Sequence, residues 1–121
     1  MKKNDKAGEK MEIESQMIKN IGIISFAGKM LGEPADSKIF EAQLKDLIKS
    51  GSTQIIIDLH NVQRINSTGL AILITATTLC SQCGKDKVSL VGVNDFIQGA
   101  LTLTRLNQFF EYYNSLEEAK N

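Results

Sequence analysis

Excess charge of either sign is missing from this chain: 14 Lys and Arg stand against 14 Asp and Glu in 121 residues. Nucleic-acid binding by counterion displacement needs a basic surface, and only the N-terminal lysines cluster, so no nucleic-acid partner is expected. Cysteine is scarce. Cys80 and Cys83 are too few for a secreted disulfide framework and fit a reducing compartment. Long hydrophobic runs are absent too; the longest near-apolar stretch, Gly69 to Ala76, includes Thr75 and is far too short to span a bilayer. No apolar segment follows Met1-Lys2-Lys3, so no signal peptide is expected. These absences predict a cytoplasmic protein with no direct membrane insertion. The length leaves room for one domain, and 42% hydrophobic with 23% charged residues is a soluble, globular composition.

Residues 1–10 are polar and charge-rich and are expected to form a flexible tail, with residues 11–121 as the domain. Met11 to Met17 alternates loosely and suits an edge strand. Ile21 to Ala27 is a β-branched strand ending at Gly28. Pro34 then opens a helix whose Phe40, Leu44, Leu47 and Ile48 form one apolar stripe, closed by Gly51. Gln54 to Leu59 contains three consecutive isoleucines, the pattern of a central parallel strand covered on both faces. After a short loop, Ser67 to Cys83 reads as a helix closed by Gly84, its first half (Leu70 to Ile74) apolar all round and expected to be largely buried. Lys87 to Val93 is another buried-type strand. Asn94 caps a helix through about Leu106, with Phe96, Ala100 and Leu103 as its inward row. Phe109 to Tyr113 is a final strand, and Ser115-Leu116-Glu117-Glu118 has the spacing of a capping box for a short last helix. Repeated strand–helix–strand units predict an α/β domain with a mostly parallel sheet.

The informative stretch is Asp58-Leu59-His60-Asn61-Val62-Gln63-Arg64-Ile65-Asn66-Ser67-Thr68-Gly69-Leu70-Ala71. It joins the central strand to the buried helix, at the carboxyl end of the strand where open α/β sheets place functional groups. Asn66, Ser67 and Thr68 stand at the helix start, where polar side chains cap free N–H groups and the helix dipole favours an anion. Local chemistry alone allows two readings, a plain helix cap or a hydroxyl that is reversibly phosphorylated.

A hydrophobic strand ending in Asp-Leu, a short loop, Ile-Asn-Ser-Thr-Gly-Leu-Ala and an apolar helix resembles the STAS domain of anti-sigma-factor antagonists. Gly28, Leu90-Val91-Gly92-Val93, Leu101 to Leu106, Phe109 and Ser115 to Ala119 fall at further landmarks of that family. The resemblance covers nearly the whole chain after the tail. It implies a single STAS-type domain, with a mixed, mostly parallel sheet of about five strands and about four helices. It also implies a partner switch. The unphosphorylated antagonist binds a GHKL-type anti-sigma-factor serine kinase, phosphorylation of the loop serine releases it, and a serine phosphatase resets it. By position Ser67 matches the phosphoacceptor, with Thr68 the less favoured neighbour. Asp58, Asn66, Ser67, Thr68, Gly69 and Leu70 form the switch region. The family usually has Asp where this chain has Asn66, which removes a negative charge beside the acceptor, and His60 replaces a small polar residue.

Other constellations carry less. Cys80-Ser81-Gln82-Cys83 lies near a predicted helix C-terminus, not at the N-terminus where a dipole would stabilise a thiolate, and no second ligand pair exists for zinc. No G-x-x-x-x-G-K-[ST] phosphate loop occurs, so no cofactor or metal is expected. Asn66-Ser67-Thr68 matches a glycosylation acceptor that, without a secretory signal, never meets the transferase. Asp58, His60 and Ser67 invite a triad, but G-x-S-x-G is absent and Asp58 is read as closing its strand, so no enzyme is expected. Three readings remain in order: the antagonist, an accessory STAS protein of a membrane lipid-transport or other complex, and an esterase-like enzyme. A monomer is the default for the free protein.

Overall fold

The three isoleucines Ile55, Ile56 and Ile57 do occupy the middle of the sheet, each almost fully buried. In the computed structural model, which describes residues 11–84 and 87–120, their strand has neighbours on both sides. Five strands lie in sequence order: β1 (Glu12–Ile18), β2 (Ile21–Leu31), β3 (Gln54–Ile65), β4 (Val88–Val91) and β5 (Phe110–Tyr113). β1 pairs antiparallel with β2, and the other pairings are parallel. The helices are α1 (Pro34–Lys49), α2 (Ser67–Gln82), α3 (Asp95–Leu103) and α4 (Leu116–Lys120), with one 3-10 turn over Asn107–Phe109. The charged segment 1–10 read as a tail lies outside the described residues.

Alternation along β3 assigns the two faces of the sheet. Ile55, Ile57 and Leu59 join the main core with Phe40 and Leu44 of α1, Ile72, Leu73 and Ala76 of α2, and Ile97 and Leu101 of α3. Ile56 faces the other way and packs with Ile23, Val91 and Ala119 of α4. Pro34 stands at the first turn of α1, where its missing N–H breaks no helical bond.

Three expectations need correction. First, β3 does not end near Asp58 and Leu59; it runs on to Ile65, and β2 runs past Gly28 to Leu31 beside it. The pairing jumps from Ser25–Asp58 to Ala27–Asn61, so β3 carries one extra residue there, a β-bulge. Val62 and Ile65 point inward beyond the bulge, while Asn61, Gln63 and Arg64 are exposed. The polar composition that reads as a loop is the solvated side of a strand, and pairing with β2 overrides low strand propensity. Second, Phe96 and Leu103 are not inward. They are 48% and 86% exposed, and Ile97 with Leu101 takes the core side. That inward pair is spaced i, i+4 with Ala100 half-buried beside it, which turns Phe96 outward; the helix also stops at Leu103, short of Leu106. Third, the apolar start of α2 is not uniformly buried. Ile72 and Leu73 are enclosed, Leu70 is half-buried, and Ala71 and Ile74 face out.

Candidate functional site

The end of β3 and the start of α2 meet the end of β2 and the start of α1 in one polar junction. Asn66 is the N-cap of α2, with extended backbone angles of −115° and −171°. Its Oδ1 accepts the Gly69 N–H at 2.9 Å, and its Nδ2 donates to the Gly32 carbonyl at 3.5 Å. Its own N–H donates to the Leu31 carbonyl at 3.2 Å. A carboxylate here would keep the cap but lose the donor to Gly32.

Two glycines are sterically required at this junction. A Cβ on Gly32 would fall 1.6 Å from Asn66 Oδ1, and one on Gly69 would fall 2.2 Å from the Leu31 carbonyl oxygen. Gly32 also has φ near +153°, which L side chains rarely adopt. Asp36, buried in the first turn of α1, holds the other side of the turn. Its Oδ2 accepts from Glu33 N–H at 2.9 Å and from Gly32 N–H at 3.3 Å. Sequence reasoning missed Gly32 and Asp36; the only signal was an acidic residue just inside a helix opened by proline.

With Asn66 acting as the cap, Ser67 becomes the first helical residue, exposed to solvent, and nothing among the described residues hydrogen-bonds its hydroxyl. Thr68 is half-buried and Gly69 is buried. α2 contains no charged residue at all, and Ser67, Ala71, Ile74, Thr78 and Ser81 line its exposed side. The arrangement is a free hydroxyl at the positive end of a helix, heading a neutral surface. Among the described residues no acidic, basic or imidazole side chain hydrogen-bonds that hydroxyl.

Asn66, Ser67, Thr68, Gly69 and Leu70 are therefore together, and Asp58 is not with them. Asp58 lies mid-strand, buried to 3% exposure, with roughly 26 Å of extended chain between it and the cap. Its Oδ1 is 2.5 Å from His60 Nδ1 and also accepts the His60 N–H at 3.1 Å, which fixes the imidazole across the bulge. His60 packs so closely on Gly92 that a Cβ there would fall 2.3 Å from His60 Cβ. The Asp–His pair of a triad exists, but Ser67 stands about five strand residues farther on, out of reach. Cys80 is buried and Cys83 exposed at the C-cap of α2, away from the Ser67 end. Among the described residues no cluster of three His, Cys, Asp or Glu side chains forms a metal site, and no helix is long and apolar enough to cross a membrane.

The STAS domain family matches residues 12–119. The chain belongs to that family. No curated protein sequence matches it significantly. Among solved structures, an anti-sigma factor antagonist from Mycobacterium paratuberculosis is 18% identical, with a TM-score of 0.75 and coverage of 91% of both chains. The phosphorylated form of the Bacillus cell fate determinant SpoIIAA is 15% identical, with a TM-score of 0.68 over 89% of this chain and 96% of that one. A sulfate transporter family protein from Wolinella succinogenes is 19% identical, with a TM-score of 0.64 over 82% and 81%. At these identities the likeness establishes the shared fold.

Proposed function

We propose that this STAS protein is an anti-sigma-factor antagonist whose unphosphorylated form binds a GHKL-type serine kinase and whose release follows phosphorylation of Ser67. The observation that carries the reading is the freedom of Ser67. Asn66 does the capping, so the serine hydroxyl is exposed, uncommitted and placed where a helix dipole favours an anion. The switch region is the contiguous group Asn66, Ser67, Thr68, Gly69 and Leu70, with Asp58 outside it. Thr68, half-buried, is the poorer acceptor. Phosphorylated SpoIIAA among the structural neighbours supports the same reading.

The γ-phosphoryl group of ATP passes to Ser67 Oγ, releasing ADP and the hydroxyl proton. It brings about −1.5 to −2 charge to the head of a helix face that otherwise has none. A partner that docks on that neutral face would have to desolvate the phosphate. Moving a complex from 99% bound to 99% free takes about 5.5 kcal/mol of differential affinity, within reach of a doubly charged group pressed into a partly apolar interface. A serine phosphatase then restores the neutral face.

The test is incubation with ATP, magnesium and the serine kinases of the protein's own source, followed by intact mass of wild type, Ser67→Ala and Thr68→Ala. One phosphate on wild type and on Thr68→Ala, absent from Ser67→Ala, is the expected result. No phosphate together with stable association to a membrane transport protein would replace this reading with an accessory role.

A further inference from the structure

Arg64 stands three residues ahead of Ser67, and its guanidinium carbon lies 5.4 Å from the centroid of the Phe96 ring. Both side chains are exposed. The ring is tied to the strand that carries the arginine, because Asn94, the N-cap of α3, donates through Nδ2 to the carbonyls of Val62 and Gln63. Among the described residues Arg64 enters no ion pair, not even with Asp95 beside the ring; the pairs there join Lys45 to Glu41, His60 to Asp58 and Lys120 to Glu117. The arginine three residues ahead of Ser67 is thus parked on an aromatic face, with no anionic partner among the described residues.

At most about 10 Å of extended chain separates the α-carbons of residues 64 and 67, within the combined reach of an arginine and a phosphoserine side chain. α2 carries no acidic residue to repel an anion at its first position and no basic one to compete for it. Lys29 is a second cation nearby in the sheet, on β2 next to Met30, whose register partner is Arg64. An exposed cation–π contact is weak, whereas guanidinium and phosphate form charge-assisted, bidentate hydrogen bonds.

Resting on the reading of Ser67 as phosphoacceptor, we infer that Arg64 is the counter-ion of the phosphorylated state. Its guanidinium leaves the Phe96 ring and pairs with the phosphate on Ser67, so the modification changes two surfaces at once. The head of α2 gains a clamped anion, and the outward ring of α3 loses its cationic cover. Arg64 is thereby a phosphate-binding residue that reads the state of the switch.

Phosphoserine inserted at position 67 during translation tests this without any kinase. Phosphorus NMR follows the second ionisation of the phosphate, ordinarily near about 6. The expected midpoint in the otherwise wild-type protein lies about half a pH unit below that of Arg64→Gln, roughly a threefold change in proton affinity. Phe96→Leu, which keeps the arginine and removes its resting place, is expected to leave the midpoint as low as wild type or lower. Lys29→Gln is expected to shift it less than Arg64→Gln. Equal midpoints in wild type and Arg64→Gln would overturn the inference. So would an equal rise in Arg64→Gln and Lys29→Gln, or a rise in Phe96→Leu to the Arg64→Gln value. Because the phosphate is installed directly, a negative result here leaves Ser67 standing as a kinase target. Conversely, a kinase that ignores Ser67 leaves this titration fully readable.

Discussion

Gly69→Ala is expected to destabilise the domain by about 2 kcal/mol, and Gly99→Ala to stabilise it. Both glycines lie inside helices, so intrinsic propensity favours alanine by up to about 1 kcal/mol at each. The surroundings decide the sign. A Cβ on Gly69 would sit 2.2 Å from the Leu31 carbonyl oxygen and 2.6 Å from Ile65 Cγ1. The first of these is backbone, already accepting the Asn66 N–H, so relief means prising α2 away from β2 and stretching the cap. Overpacking of this kind costs about 1–3 kcal/mol, and contact with a fixed carbonyl argues for the upper end. After the propensity gain, about 2 kcal/mol of loss remains, or roughly 8 °C in Tm for a domain of this size. A Cβ on Gly99 meets nothing within 4 Å, so the propensity gain stands alone and Tm rises by up to about 4 °C. Urea melts at constant m-value, or thermal melts followed by circular dichroism, read both variants. A Gly69→Ala protein as stable as wild type, or both variants moving in the same direction, would refute the close approach of α2 to β2.

Asn66→Ala is expected to lose about 1 kcal/mol in the same melts, since the Gly69 N–H is left without its cap. Asn66→Asp keeps the acceptor and should lose less. Ser52 is buried with no hydrogen-bond partner for its hydroxyl among the described residues, so Ser52→Ala should leave Tm unchanged or raise it. Burial raises the Tyr112 phenol above its ordinary 10.0, with a smaller opposing pull from its hydrogen bond to Gln98. The unfolded chain then gives up this proton first, so stability held below about pH 10 is lost as the pH climbs past it. Tyr112→Phe should flatten that alkaline limb in urea midpoints measured against pH.

The parts of the fold written in hydrophobic pattern were readable from the chain. The Ile55-Ile56-Ile57 run placed the central strand, the Phe40, Leu44, Leu47 stripe placed α1 against the sheet, and Asn94 marked the start of α3. Pairing that depends on a partner strand was not readable. Asn61 to Ile65 is a strand only because β2 extends alongside it, and no local rule distinguishes its polar outward side from a loop. The inward row of α3 was misassigned for a related reason. Phe96 and Leu103 are as apolar as Ile97 and Leu101, so hydrophobic pattern alone does not choose between the faces, and the docking of α3 on β3, where Asn94 bonds the Val62 and Gln63 carbonyls, is not written in the local sequence. At the site, Ser67 and its neighbours were legible as a motif. The division of labour was not: Asn66 rather than Ser67 caps α2, and its amide also reaches the Gly32 carbonyl, thirty-four residues away in sequence.

On the proposed reading, a single phosphate on Ser67 converts a binding surface into a non-binding one. The direct measurement is the affinity of the cognate serine kinase for the unmodified protein and for the protein carrying phosphoserine at position 67, by calorimetry at one ionic strength. Tight binding of the unmodified form is expected, with a loss of at least about a hundredfold on phosphorylation, some 2.7 kcal/mol or more. Equal affinity for the two forms would contradict that reading.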